Sequence, residues 1–269
     1  KVSTNVSTTC TVTVKKALVD LTAEQIAANK EKYYGEVAQN YTAGGLTYRI
    51  FYVDTENKFK DGANTVYLKA DYKDEISLTT DISSLTTDDI QKFKNMNPVW
   101  NAARGTVAQS SWNTNEEASA WLCAPSQWTT YVDSTKANYA IGGPSVEMYV
   151  ASYNDVKHDT GTAKGGLSAE YSTKDAHGYI YKVNGELQNS GWHTNTDTLD
   201  CKGYNSMYAG ENGSKTGYWW LASPSSGTFS GVCLVRGNGA YLGYYYCSGT
   251  YGVGPLVSLR SGIQVQVEE

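Results

Sequence analysis

The chain has 269 residues, a formal net charge of −5 and a pI near 5.3. Lys and Arg do not cluster, so the sequence carries no electrostatic footprint for nucleic acid or an anionic membrane surface. No run reaches the apolar length of a membrane helix. Tyr (22), Gly (26) and Trp (7) are generous while Phe (4) is sparse, which suits an exposed, aromatic, hydrogen-bonding surface built on loops and strands.

The length buries a full core, most simply as one large domain or a domain with an appendage. The opening Lys1-Val-Ser-Thr reads as mid-protein, so a targeting or anchoring segment is expected outside this sequence. Thr8-Thr-Cys-Thr-Val-Thr-Val14 alternates and is β-branched, a short strand by pattern: the tail of a preceding immunoglobulin-like repeat or a linker strand. Thr22-Ala-Glu-Gln25 has the form of a capping box and predicts a helix to about Tyr33, closed by Gly35. Leu46–Val53 and Asn64–Ala70 predict strands joined by a polar stretch containing Asp61-Gly62. Together these make a small α+β unit over residues 17–75. A helix is predicted from about Thr87 to Lys94, ended by Asn97-Pro98. Two more are predicted over Asn115–Leu122 and Pro144–Tyr153, with Pro144 in the first helical turn. Residues 154–216 read as long surface loops, broken by a strand at Gly178–Val183 and a hairpin turn at Asn184-Gly185.

The most informative stretch runs from Ser225 to Gly249, SSGTFSGVCLVRGNGAYLGYYYCSG. It contains no Lys, Glu, Gln, Met or Trp. Those are the five types that a codon ending in C cannot encode. Asn (AAC) codons with randomised adenines would give this alphabet with no stop codon. It is also the alphabet of an antibody paratope, where Tyr supplies rigid contact area and Ser and Gly supply adaptable hydrogen bonding. A Gly- and Tyr-rich β-meander whose composition serves only its turns and strands accounts for the segment equally well. A turn at Gly237-Asn-Gly-Ala240 would set Arg236 opposite Tyr241 and Cys233 opposite Tyr244. Cys247 would then lie out of register for a bridge to Cys233, and thiols are expected.

The segment is preceded by Gly217-Tyr-Trp-Trp-Leu-Ala-Ser-Pro224 and followed by Tyr251-Gly-Val-Gly-Pro-Leu-Val-Ser-Leu259. With weaker support from Trp121-Leu-Cys-Ala-Pro125 and Ala140–Tyr149, this resembles the C-type-lectin-fold variable proteins of diversity-generating retroelements, over roughly residues 95–262. In that family a Tyr-Trp-Trp-Leu-x-Ser-Pro strand and a closing Tyr-Gly-Val-x-Pro strand bracket the mutated codons. The closing strand usually carries Arg before its Pro; here Gly254 stands there, so any anchoring by that Arg is lost or done otherwise.

The resemblance implies an α+β protein: a C-type-lectin-like domain over residues 76–269 with the small N-terminal α+β unit packed on or beside it, and residues 1–16 a linker strand or tail. The implied function is non-enzymatic display of a hypervariable surface. Its expected contacts are Thr228, Phe229, Ser230, Leu234, Arg236, Tyr241, Tyr244, Tyr245, Tyr246 and Ser248, with Val232 and Val235 facing inward. The partner would be a protein or glycan on another cell or phage, met outside the cell, at its surface or on a phage virion, with no nucleic acid and no membrane contact by this fragment. A structural subunit of a surface appendage or adhesin, without diversification, is the alternative.

Other chemistries find less footing. His158, His177 and His193 lack metal-ligand spacing, and no Cys-x-x-Cys pair occurs, so no metal site is expected. Formylglycine-generating oxidases are similar in fold and use C-terminal cysteines, but Cys233 and Cys247 have no nearby His to lower a thiol pKa, so no catalytic residue is expected. The calcium-chelating motifs of sugar-binding lectins are absent, and residues 223–252 hold no Asp or Glu. No cofactor is expected beyond a structural calcium ion, for which Asp197, Asp200 and Glu211 could serve. Trp219 and Trp220, adjacent in one strand, should face opposite ways, one into the core and the other toward a loop or the base of the binding surface.

Overall fold

A computed structural model describes residues 16–59, 61–71, 73–77, 125–156, 167–172, 178–183, 186–187, 207–208, 218–224, 231–236, 241–246 and 250–269. The strand expected at 8–14 and the helices expected at 87–94 and 115–122 lie outside them, as do the three histidines and the Asp197, Asp200 and Glu211 carboxylates.

The capping box forms as the sequence predicts. The Thr22 hydroxyl accepts from the Gln25 amide at 3.3 Å, and the Gln25 side chain accepts from the Thr22 amide at 2.8 Å. The helix is not continuous to Tyr33, however. Asn29 leaves helical geometry (φ −139°, ψ 50°), with its side-chain amide turned back on the Gln25 carbonyl, and splits it into α1 (Ala23–Ala28) and α2 (Lys30–Tyr33). Gly35, at φ 88°, turns the chain out of α2 as expected.

β2 (Tyr48–Asp54) and β3 (Thr65–Ala70) pair antiparallel. The loop between them is built on Asp54, whose buried carboxylate accepts the Lys58 amide at 2.9 Å and the Phe59 amide at 2.8 Å. Asp61 then ties the loop to the sheet, accepting the Tyr139 hydroxyl at 2.6 Å and the Tyr67 hydroxyl at 3.0 Å. Burial lifts the Asp61 carboxyl above its ordinary value, against the lowering effect of these hydrogen bonds.

The small N-terminal unit does not stand by itself. β2 and β3 belong to a four-stranded sheet of order β2-β3-β13-β5, where β5 is Ala137–Ile141 and β13 is Leu256–Leu259. Every residue of β3 is buried because it is an interior strand covered on both faces. β1 (Leu18–Leu21) pairs antiparallel with β14 (Val265–Glu268), joining the two ends of the described chain. β4 (Lys73–Ser77) pairs with β12 (Thr250–Val253) at one end of a five-stranded sheet. The strands of 17–75 are thus completed by strands from late in the sequence.

α3 spans Val146–Asp155, and Ser145 caps it, its hydroxyl accepting the Met148 amide at 3.2 Å. Pro144 therefore precedes the cap instead of sitting in the first turn. Its carbonyl accepts the Ala222 amide at 2.9 Å, while the Val146 amide donates to the Ser223 hydroxyl at 2.9 Å. Gly143 is needed at this junction, since a Cβ there would lie 2.6 Å from the Trp220 carbonyl oxygen. α3 packs its Tyr149 and Tyr153 around the buried Tyr208, with ring centroids 5.8 and 5.6 Å away.

A fourth sheet joins β6 (Leu167–Ser172), β7 (Gly178–Val183) and β8 (Glu186–Leu187). β7 matches the sequence reading and β8 pairs back on it, while the turn expected at 184–185 lies outside the described residues; β6 falls where loops were expected. Among the described residues the structure is α+β, with mixed helices and mainly antiparallel sheets. No helix among them is long and apolar enough to cross a membrane.

Candidate binding surface

The restricted segment supplies β10 (Gly231–Arg236) and β11 (Tyr241–Tyr246). They extend the five-stranded sheet, whose order is β11-β10-β9-β12-β4 with β9 at Trp219–Pro224. The two motif strands β9 and β12 lie side by side in parallel, Gly252 opposite Trp219, so the bracketing sequences form the base from which the hairpin extends. Arg236 pairs with Tyr241 and Cys233 with Tyr244, the register expected from a turn at 237–240. Cys233 is buried and faces a tyrosine across the ladder.

Burial within the hairpin is uneven. Val232, Cys233, Leu234 and Val235 are all fully buried. Successive residues of a strand point to opposite faces, so β10 is covered on both sides. Leu234 is therefore a core residue, correcting its expected place in the contact surface, while Val232 and Val235 face inward as anticipated. On β11, Tyr244 is half-buried and Tyr245 is 40% exposed. Adjacent in the strand, these two start toward opposite faces rather than sharing one. Arg236, Tyr241 and Tyr246 are placed by their backbones in the paired strands. Thr228, Phe229, Ser230 and Ser248 lie outside the described residues.

Trp219 and Trp220 pack against different partners, one toward the core and one at the base of the tyrosine surface, and both are fully buried. Trp219 packs against Tyr149 of α3 at 5.9 Å between ring centroids. The ammonium of Lys69, on β3, lies 4.3 Å from the centre of the Trp219 ring, and Lys69 is only 2% exposed. Trp220 lies under Tyr251, edge to face at 4.9 Å. The sheet thus takes one indole into the packing with α3 and β3 and the other beneath the tyrosines of the opposite face.

Gly254, where the resembling family carries Arg, is closed in by the same lysine. A Cβ at 254 would lie 2.7 Å from both Cε and Nζ of Lys69 and 3.0 Å from the Ala70 carbonyl oxygen. That carbonyl also accepts from the Lys69 ammonium at 3.2 Å. A cation on β3 fills the space that a side chain on the closing strand would need.

Two aromatic residues outside the restricted segment belong to this surface. Tyr251 is in contact with Tyr245 at 5.1 Å and with Tyr218 at 5.5 Å, and both Tyr218 and Tyr251 are half-buried. The sequence showed them only as parts of the bracketing motifs. Their chemical kinship with the Tyr-rich segment was the available signal.

A separate cleft of about 280 Å³ lies among α1, the β2–β3 turn and the β13–β14 turn. Glu24 lines it, held below the usual carboxylate range by its own backbone amide and the Thr22 hydroxyl, and bonded to Asn64 at 2.9 Å. None of the sequence-predicted contacts lines this cleft.

Among the described residues, four sheets, the ten-residue helix α3 and the hairpin at the edge of the five-stranded sheet define an α+β protein with an aromatic surface on that sheet. The chain belongs to the DUF6273 family, a domain of unknown function, whose model matches residues 124–261, just over half of the sequence. No curated protein and no solved structure matches it. The match holds the hairpin, both bracketing strands and α3, and leaves β1 to β4 ahead of it.

Proposed function

We propose that this chain displays a variable ligand-binding surface on a C-type-lectin-like scaffold, diversified by a retroelement over residues 225–249. The observation that carries the reading is a coincidence of two boundaries. The stretch whose residue types all fit C-ending codons also supplies β10 and β11, the outer pair of the five-stranded sheet, set beside two framework strands, with Tyr245 exposed on it. Changes in such a hairpin alter a surface while the strands beneath keep their pairing. The ligand would be a protein or glycan on another cell or phage, encountered outside the cell or on a virion. Contact would rest on aromatic burial and neutral hydrogen bonds, since residues 225–249 contain no carboxylate and Arg236 is their single formal charge.

The burial of Val232 to Val235 on both faces favours a second reading, in which the Tyr-rich sheet is packing within a structural subunit of an appendage or adhesin. Sequencing the gene and its surroundings from several isolates separates the two. Display predicts a nearby reverse transcriptase gene, a repeat with Asn codons, and substitutions confined to 225–249, with Leu234 varying less than Tyr245. Substitutions spread evenly along the gene would overturn display and leave the structural subunit.

A further inference from the structure

We propose that Tyr251, outside the restricted segment, is a positioning residue that holds the Tyr245 ring in a fixed orientation before a ligand arrives. What that orientation is for rests on the display reading; the contact itself does not. Tyr245 is one of two large hydrophobic residues exposed among the described residues. A side chain so exposed ordinarily samples several rotamers, and fixing it on binding opposes affinity. Here its ring meets Tyr251 at 5.1 Å and 63°, an edge-to-face geometry that the aromatic quadrupole favours.

Tyr251 is itself held from two sides. Trp220, fully buried, contacts it at 4.9 Å and 73°, and Tyr218 contacts it at 5.5 Å and 36°. Ring contacts therefore run from the core indole, through one framework tyrosine, to the exposed tyrosine. The path also crosses the sheet, since β11 and β12 are separated by β10 and β9. The pairing explains how such a distant contact is open. Trp220 is opposite Leu234, and Leu234 is opposite Gly243. Gly243 precedes Tyr245 by two positions on the same strand face, and having no side chain it leaves the row beside Tyr245 low. The framework thereby fixes the orientation of one display position, and that position works best with an aromatic ring. Pre-organised aromatic anchors of this kind are how a paratope lowers the ordering cost of binding.

The test places 3-fluorotyrosine at position 245 of the whole chain and reads its fluorine resonance by NMR, with the urea-unfolded protein as reference. The folded parent should be displaced from the unfolded value by the ring current of Tyr251. Tyr251→Phe, which keeps the ring, should retain the displacement; Tyr251→Leu should lose most of it. Tyr218→Leu, which leaves the Tyr245–Tyr251 pair in place, should retain it. A parent resonance at the unfolded value, a Tyr251→Leu variant indistinguishable from the parent, or equal collapse in all three variants would overturn the proposal. If Tyr251→Leu does not fold, the label moves to 251 and Tyr245→Ser is made at the exposed partner. The 251 resonance should then shift, and no shift refutes the contact. None of these readings needs a ligand. A segment invariant among isolates would remove display and leave the ring pair standing, whereas a refuted ring pair leaves display untouched.

Discussion

Replacing Gly254 by Ala should destabilise the protein, and the same replacement should be nearly silent once Lys69 is Ala. Gly254 does not occupy the left-handed region, so its backbone accepts an L side chain without strain. The obstacle is the Lys69 terminus, 2.7 Å from where the Cβ would sit, in a side chain 2% exposed and resting on Trp219. To make room, the ammonium must leave the ring face or the strands must part, an overpacking penalty of about 1–3 kcal/mol. In the Lys69→Ala background the nearest remaining contact is the Ala70 carbonyl at 3.0 Å, close but able to give by a few tenths of an ångström. There the loss of unfolded-chain entropy, worth roughly 0.4–1 kcal/mol, offsets the remaining crowding. Urea denaturation of the four proteins closes a double-mutant cycle, with an expected coupling of about 1–3 kcal/mol favouring the double mutant. Additivity within about 0.5 kcal/mol would refute the reasoning, because the two sites would then not share space.

Two further outcomes follow from burial. Trp219→Ala and Trp220→Ala should each cost roughly 3–5 kcal/mol in thermal or urea melts, since both indoles are fully buried; a small loss in either would place that indole at the surface. Because the folded-state pKa of Asp61 is raised by burial, its titration contributes stability that is present below the unfolded carboxylate value and is lost as pH rises through the folded one. The melting-temperature advantage of the parent over Asp61→Asn should therefore shrink as pH is raised from about 3 toward neutrality. An advantage that grows with pH would mean that the Tyr67 and Tyr139 hydroxyls, not burial, dominate that site.

Where the sequence was legible, the signal was local. The Thr22–Gln25 box needs only three residues of separation, and the Gly237-Asn-Gly-Ala240 sequence was enough to expect the register that puts Arg236 opposite Tyr241. The Asn184-Gly185 sequence likewise announced β8. Illegible features depend on what arrives from elsewhere in the chain. β6 (LSAEYS) alternates apolar and polar residues only weakly, with Ser, Ala and Glu in most positions, and β7 pairs with it along its whole length. No local pattern joins β1 to β14, or β3 to β13. Alternation assigns Trp219 and Trp220 to opposite faces but cannot say that both faces are covered. That depends on α3, Lys69 and Tyr251, and the same blindness put Leu234 among the exposed contacts. For the surface, composition pointed to the hairpin, whereas Tyr218 and Tyr251 needed the spatial arrangement to be recognised.

The placement of the last strands also bears on how the chain is made. β12 lies between β9 and β4, and β13 between β3 and β5, so residues 250–259 are interior to both larger sheets. A ribosome delivers them after all their neighbours. Until they emerge, β9 and β4 have no strand to join them, and β3 and β5 each keep an unpaired edge toward the missing partner. A chain that stops or shifts frame within 225–249 can therefore complete neither sheet and remains a target for proteolysis. Only products translated through the whole restricted segment reach a closed fold, so the C-terminal strands act as a completeness check on whatever sequence precedes them.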